Sequence, residues 1–167
     1  MKAHHLKARL DYCLILAELS PCPRAKYGAL LIDPTTNTII AEGWNGPPRG
    51  PAQLCGGARC DRDDLFLISG QRCEVGCHHA EGNAIANAAR RGARCDRAWI
   101  VVSGAPCLAC SKLIHHAGIS TVLYLRAGRS MEGIAYLERN GVEVRTLQLP
   151  PKASSSSQEP RRRSTST

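Results

Sequence analysis

Apolar residues near the start of the chain recur every three or four positions, and this spacing predicts a helix over residues 3–19. Leu6, Leu10 and Cys13 lie on one face of that helix, because 3.6 residues complete one helical turn. Pro21 follows closely, and a proline there is typical of a helix end. We therefore interpret Cys13 as a core residue.

Two short runs of β-branched and aliphatic residues, 28–33 and 38–43, have the composition of strands. The residues that join them, 33–37, read Asp-Pro-Thr-Thr-Asn. Aspartate, proline and asparagine favour turns, since each stabilises a bend by its ring or by a side-chain hydrogen bond. The pattern predicts a β-hairpin.

Helical and strand patterns alternate along the remainder of the folded part. The predicted helices are 79–91, 107–117 and 131–139, and the predicted strands are 98–102, 121–125 and 142–147. Strands that alternate with helices after a hairpin favour a mixed sheet covered by helices on both faces. We predict an α/β fold of three layers, α/β/α, with about five strands.

Two segments lack such periodicity. Residues 49–78 are rich in glycine and contain four cysteines, and loops of this length are usually functional or held by a clip. Residues 150–167 consist mainly of Pro, Ser, Arg and Thr, a composition that buries too little apolar surface to fold. We expect one domain over residues 1–149 and a disordered basic tail over 150–167.

Charge and composition restrict the partners. The formal net charge is +8, of which the tail contributes +3, so the body is only mildly basic and suits a nucleotide phosphate better than a nucleic acid. Aromatic residues make up 4% of the chain, too few for an array that stacks bases. No membrane-spanning or signal-like apolar run is present. Nine cysteines without such a signal indicate metal ligands in a reducing cytoplasm rather than disulfides.

Two short motifs contain residues that commonly bind zinc. His79-Ala80-Glu81 is followed by a Pro-Cys-x-x-Cys motif whose cysteines are Cys107 and Cys110, with 27 residues between His79 and Cys107. One histidine and two cysteines hold zinc through three protein ligands and leave the fourth position for water. Zinc lowers the pKa of that water from 15.7 to roughly 7. Glu81, which is then not a ligand, is free to move protons.

The chain resembles the deoxycytidylate (dCMP) deaminases of the zinc-dependent cytidine/deoxycytidylate deaminase superfamily, over about residues 8–148. The resemblance lies in five blocks: Cys22-Pro23-Arg24, Lys26-Tyr27-Gly28-Ala29, Gly43-Trp44-Asn45-Gly46, His79-Ala80-Glu81-x-Asn83-Ala84-Ile85 and Pro106-Cys107-x-x-Cys110. Trp44 stands where this family usually has tyrosine. The resemblance implies the cytidine-deaminase-like fold and hydrolysis of dCMP to dUMP and ammonia. Zinc hydroxide would be the nucleophile and Glu81 the proton shuttle.

The same resemblance implies substrate contacts. Asn45 would contact the deoxyribose hydroxyl, and the Ala80 backbone would orient the base. Tyr124 would lie at the rim of the base pocket. From the residues alone, Asn45 also suits a simple turn and Tyr124 an ordinary core position. Arg24 and Lys26 are both candidates for the 5′-phosphate, and the sequence does not choose between them.

Family members often carry a second, structural zinc. The resemblance implies that Cys22, Cys55, Cys60 and Cys73 bind it here, with Cys77 or His78 as alternates; four such ligands make a closed tetrahedral site. It also implies a homo-oligomer, commonly a hexamer, with dCTP and dTTP as possible effectors near residues 43–50.

Three other functions remain open at this point. The same chemistry suits another free nucleoside, a modified pyrimidine nucleotide or a guanine-type base. The basic tail suggests polynucleotide editing as a second alternative, although residues 1–149 lack the features of a nucleic-acid-binding surface. A non-catalytic zinc module is the last alternative, but a structural zinc site has no need of Glu81.

Overall fold

A five-stranded mixed sheet forms the centre of the computed structural model, which describes residues 2–47, 60–68, 75–128 and 130–147. The strands are β1 (Gly28–Asp33), β2 (Thr38–Trp44), β3 (Trp99–Gly104), β4 (Thr121–Arg126) and β5 (Glu143–Thr146). The helices are α1 (Ala3–Ala17), α2 (Asp61–Asp64), α3 (Ala80–Arg90), α4 (Leu108–His116) and α5 (Glu132–Arg139).

The order of strands across the sheet is β2-β1-β3-β4-β5. β1 pairs antiparallel with both β2 and β3, whereas β3, β4 and β5 run parallel. Parallel neighbours need a crossover connection, and α4 and α5 provide the two crossovers. The hairpin and the mixed three-layer fold predicted from the sequence are confirmed.

The two faces of the sheet carry different helices. On one face Leu30, Ile32 and Val101 pack with the buried side of α1. On the other face the alternate residues of the same strands, such as Leu31 and Val102, pack with α3, α4 and α5. β1 and β3 are therefore apolar on both sides, as central strands of a covered sheet must be.

The structure differs from the predicted elements at several ends. α1 ends at Ala17, two residues early, and β2 continues to Trp44. The one-turn helix α2 lies within the segment predicted to be irregular. None of the helices in the described part of the chain is long and apolar enough to span a lipid bilayer.

Candidate active site

The two distant motifs meet at the ends of two helices. His79 immediately precedes α3, Cys107 immediately precedes α4, and Cys110 lies in the first turn of α4. His79 Nδ1 is 3.5 Å from Cys107 Sγ and 3.4 Å from Cys110 Sγ. All three ligand atoms lie within 4.8 Å of one another.

These three donors fit a zinc ion in both chemistry and spacing. Zinc–nitrogen and zinc–sulfur bonds in a tetrahedral site separate the two donor types by about 3.6 Å, close to the observed distances. Within the described ranges, His79, Cys107 and Cys110 form the group of three potential metal ligands whose donor atoms lie close enough together to share one ion. The cluster therefore has the donor set of a catalytic zinc site with one open position.

Local electrostatics favour the thiolate at Cys107, whereas the hydrogen bond to Cys107 and burial raise the pKa of the Cys110 thiol. Hydrogen bonds from Cys110 and His79 lower the pKa of the Cys107 thiol to about 3, against the opposing effect of burial. The hydrogen bond to Cys107 in turn raises the pKa of His79. Both cysteines lie at the start of α4, where the helix dipole also stabilises negative charge.

Glu81 lies beside this cluster without belonging to it. The residue is only 6% exposed, and its carboxyl group lies next to the Cys110 thiol. Burial raises the pKa of Glu81, while the nearby His79 opposes the shift. A buried carboxyl group whose pKa is raised toward neutrality can both accept and donate protons.

Close packing against β2 fixes the position of α3. Gly43 faces the helix, and a Cβ atom there would lie 2.4 Å from Ala84 N and 2.5 Å from Ala80 O. Asn83 Nδ2 donates to Trp44 O and Asn87 Nδ2 to Glu42 O, each at 2.7 Å.

The two asparagines thus bond carbonyls of an edge strand to the helix that presents His79 and Glu81. Sequence reasoning assigned them no role, although polar residues four apart on an otherwise apolar helix face were a visible signal.

The segment after β2 runs directly beside His79. Gly46 and His78 exchange two backbone hydrogen bonds, of 3.1 and 2.9 Å. Asn45 is buried, and its side chain is bonded at both ends to backbone: Oδ1 accepts from Tyr27 N–H at 2.7 Å and Nδ2 donates to Ala25 O at 2.9 Å. An amide group has two acceptor and two donor positions, so half of its capacity remains for other partners.

Comparison with known proteins agrees with this site. Residues 4–126 match the family model of the cytidine and deoxycytidylate deaminase zinc-binding region. The chain belongs to this deaminase family.

Individual relatives agree with that assignment. ComE operon protein 2 of Bacillus subtilis is 33% identical over 136 residues, which cover 81% of this chain and 67% of that protein. The deoxycytidylate deaminase of Schizosaccharomyces pombe is 31% identical over 148 residues, 87% of this chain. The chain spans only 44% of the length of that yeast enzyme.

A solved structure shows the same fold. The dCMP deaminase of cyanophage S-TIM5, in complex with dCMP and dUMP, superposes with a TM-score of 0.74 at 30% sequence identity. The match covers 88% of this chain and 99% of the phage chain. The two chains therefore share the same fold.

The two cationic candidates for the phosphate both have partners in the structure. Arg24 forms an ion pair with Asp63 at 3.1 Å and donates to Leu67 O at 3.2 Å. Lys26 pairs with Glu18 at 3.0 Å, and these two side chains are 43% and 75% exposed. Since exposed pairs exchange readily with solvent and ligands, Lys26 is the more available of the two.

Tyr124 and Ala80 are both buried. Tyr124 is 7% exposed and packs in the cluster formed by α3, α4 and α5, so it lies in the core on the same face of the sheet as the zinc ligands. Ala80 is the first residue of α3, where backbone N–H groups have no partner within the helix.

The residues predicted for a second zinc are only partly described. Cys55 and Cys73, like the tail 150–167, lie outside the described residues. Cys22 is half-buried in the loop after α1, and Cys60 is buried immediately before α2. The alternates Cys77 and His78 immediately precede His79 of the candidate zinc cluster, with Cys77 half-buried and His78 exposed.

Proposed function

We propose that this protein is a zinc-dependent deaminase that converts dCMP and water to dUMP and ammonia. The observation that carries the proposal is the convergence of His79, Cys107 and Cys110 beside a buried Glu81. The dCMP and dUMP in complex with the phage deaminase, and the activity named for the yeast relative, support the substrate.

The reaction replaces the C–N bond at carbon 4 of cytosine by a C=O bond. Zinc, when bound by the three ligands, lowers the pKa of water and so supplies a nucleophile at neutral pH. Glu81 takes both protons of the attacking water in turn. It delivers one to ring nitrogen N3, where it remains in uracil, and the other to the amine, which leaves as ammonia.

Other residues orient the nucleotide in this proposal. The Ala80 backbone orients the base, and the remaining hydrogen-bond capacity of Asn45 binds the sugar hydroxyl. Tyr124 packs behind the base from the core. We assign the 5′-phosphate to Lys26, because Arg24 is held by Asp63 and by a backbone carbonyl.

A substrate panel tests the proposal. Turnover of dCMP, cytidine, dCTP and guanine should be measured with zinc-loaded protein, with and without added dCTP. We expect dCMP to have the highest kcat/KM. Preference for a substrate without phosphate would refute dCMP as the substrate, and inactivity on every amino-bearing base would favour a non-catalytic zinc module.

We further propose a second, structural zinc bound by Cys22, Cys55, Cys60 and Cys73. The support is that Arg24 bonds the segment of Cys22 to the segment of Cys60, through Asp63 and Leu67. Zinc analysis should find two ions per chain in the native protein and one in Cys60→Ser. The matched control Cys95→Ser, which changes a half-buried cysteine outside both sites, should retain two. One zinc per chain in fully active native protein would exclude the second site.

We also propose that the protein forms a homo-oligomer and that dCTP and dTTP regulate it. Both points are supported by the resemblance to the dCMP deaminases. The effector segment, 43–50, extends into residues outside the described part of the chain. Light scattering and the response of dCMP turnover to dCTP test these two points: a monomer would refute the first, and unchanged kinetics the second.

A further inference from the structure

We infer that the ring of Tyr27 forms a wall of the nucleotide pocket and contacts the base, which makes Tyr27 a specificity-determining residue. The inference rests on the proposed function. It concerns a side chain for which sequence reasoning assigned no role.

The alternation of side chains places Tyr27 on the sheet face that carries the zinc ligands. Gly28 faces α1, since a Cβ atom there would lie 2.2 Å from Cys13 O. Ala29 and Leu31 face α3 and α4. Because successive residues of a strand point to opposite faces, Tyr27 points to the same side as Ala29.

Tyr27 lies between the two segments that carry the ligands. On one side is Asn45, which is bonded to Tyr27 and is followed by the Gly46–His78 bridge next to His79. On the other side is Gly104, which ends β3 three residues before Cys107. The ring therefore lies at the end of the sheet where α3 and α4 begin.

The backbone around Tyr27 is held by three hydrogen bonds, two to Asn45 and one to Ser103. Its N–H donates to Asn45 Oδ1 at 2.7 Å and its C=O accepts from Asn45 N–H at 3.1 Å. The N–H of Gly28 donates to Ser103 Oγ at 3.0 Å. Asn45 is therefore a positioning residue for Tyr27, in addition to the sugar contact assigned above.

The ring is anchored on one side and open on the other. It lies over Gly104, where a Cβ atom would be 2.7 Å from Tyr27 Cε1 and 3.1 Å from Cδ1. Tyr27 is nevertheless 42% exposed. An aromatic ring fixed on its backbone, backed by glycine and open beside a metal cluster offers a surface on which a base stacks.

Affinity for dUMP, measured by calorimetry on zinc-loaded protein, tests the wall independently of turnover. Tyr27→Ala should weaken dUMP binding and raise KM for dCMP about tenfold, since loss of one aromatic–base contact has effects of that order. The kcat should change less than about threefold. Tyr27→Phe keeps the ring and should retain affinity and KM within about threefold. Phe66→Ala is the control, because it removes an aromatic that is 92% exposed, and it should change neither quantity.

The substitution Gly104→Ala is a second test of the position of the Tyr27 ring. The new methyl group must displace Tyr27, so KM should rise in the native background and much less when combined with Tyr27→Ala. Such a non-additive effect on KM is expected if Gly104→Ala acts through the Tyr27 ring. If Gly104→Ala only destabilised the protein, the effects of the two substitutions on KM would add. If Tyr27→Ala fails to fold, the response of KM to Gly104→Ala decides alone, and an unchanged KM overturns the inference.

These measurements distinguish a failure of the role inferred for Tyr27 from a failure of the proposed deamination. Native dUMP affinity and KM in folded Tyr27→Ala with full zinc content would overturn the role of Tyr27 and leave the proposed deamination intact. Absence of dCMP turnover and of dUMP binding in the native zinc protein would overturn both.

Discussion

Two glutamates on different helices have opposite surroundings in this protein. Glu81 is buried beside the cluster of His79, Cys107 and Cys110, whereas Glu138 is exposed on α5. Burial penalises the charged form and so raises the pKa of Glu81. Proton transfer needs such a carboxyl group, because a carboxylate that is always ionised in water is a poor acid at neutral pH.

Glu81→Gln tests the proton role. The amide keeps the size of the side chain but cannot carry protons, so dCMP turnover should fall about 10²- to 10⁴-fold while zinc content is unchanged. Glu138→Gln is the matched control and should have native kinetics. Near-native turnover in Glu81→Gln would contradict the assignment.

The remaining cysteines differ from the ligands in reactivity. Cys13 is fully buried, and its thiol donates to Gly28 O at 3.1 Å. Burial raises the pKa of Cys13 to about 12, so at any lower pH the neutral thiol predominates, and only the thiolate is nucleophilic. Cys13 therefore serves to pack α1 against β1, as the apolar stripe of the sequence predicted.

Alkylation at pH 8 should distinguish Cys13 from Cys95. Iodoacetamide should modify the half-buried Cys95 slowly, because burial raises the pKa of that thiol too, and should leave Cys13 unmodified in the folded protein. Peptide mass mapping over time measures both residues in one sample. Equal rates in the folded state would show that α1 does not shield Cys13.

Among the secondary-structure elements, the contact between α3 and β2 determines the geometry of the site. The helix can approach the strand only because Gly43 has no side chain, and the two asparagines then bond to carbonyls of β2. Movement of α3 would carry His79 and Glu81 away from the cysteines of α4.

Gly43→Ala should therefore destabilise the protein by about 1–3 kcal/mol, the usual range for overpacking against backbone. Gly82→Ala is the control in the same region, since its Cβ would lie 3.8 Å from Leu113 Cδ2. Alanine favours a helix by about 1 kcal/mol over glycine, so Gly82→Ala should be neutral or stabilising. Urea unfolding measures both, and equal midpoints would contradict the tight contact.

For the molecule as a whole, the site depends on the topology of the sheet. The starts of α3 and α4 meet at the carboxyl ends of β2 and β3. β3 leads directly into Pro106 and Cys107, and the Gly46–His78 bridge after β2 brings His79 to the same end of the sheet. Ligands commonly bind at the carboxyl ends of strands in such sheets. The tail contributes charge to the chain but none of the residues of the zinc cluster.

Removal of residues 150–167 tests the contribution of the tail. The change lowers the net charge from +8 to +5, so any weak binding of single-stranded oligonucleotides at low salt should be lost. Turnover of dCMP should be unchanged. Oligonucleotide binding that survives the truncation would instead support polynucleotide editing by the folded domain.

Much of this protein is readable from local patterns. The 3.6-residue and two-residue periodicities locate the helices and strands, because burial selects side chains at those spacings. His79, Glu81, Cys107 and Cys110 stand out for a similar reason, since zinc chemistry restricts residue types and their short-range spacing. Element ends were less accurate: α1 ended early and α2 was missed, because packing and capping decide where a helix stops.

Contacts between distant segments had no such signature. Nothing in the spacing of Asn45 and Tyr27 indicates that the amide of one holds the backbone of the other, or that Gly104 leaves room for the ring. The same holds for Arg24, which pairs with Asp63 across 39 positions of the chain. Such pairings depend on which strands become neighbours, and that follows from the free energy of the entire packed chain rather than from any short stretch of it.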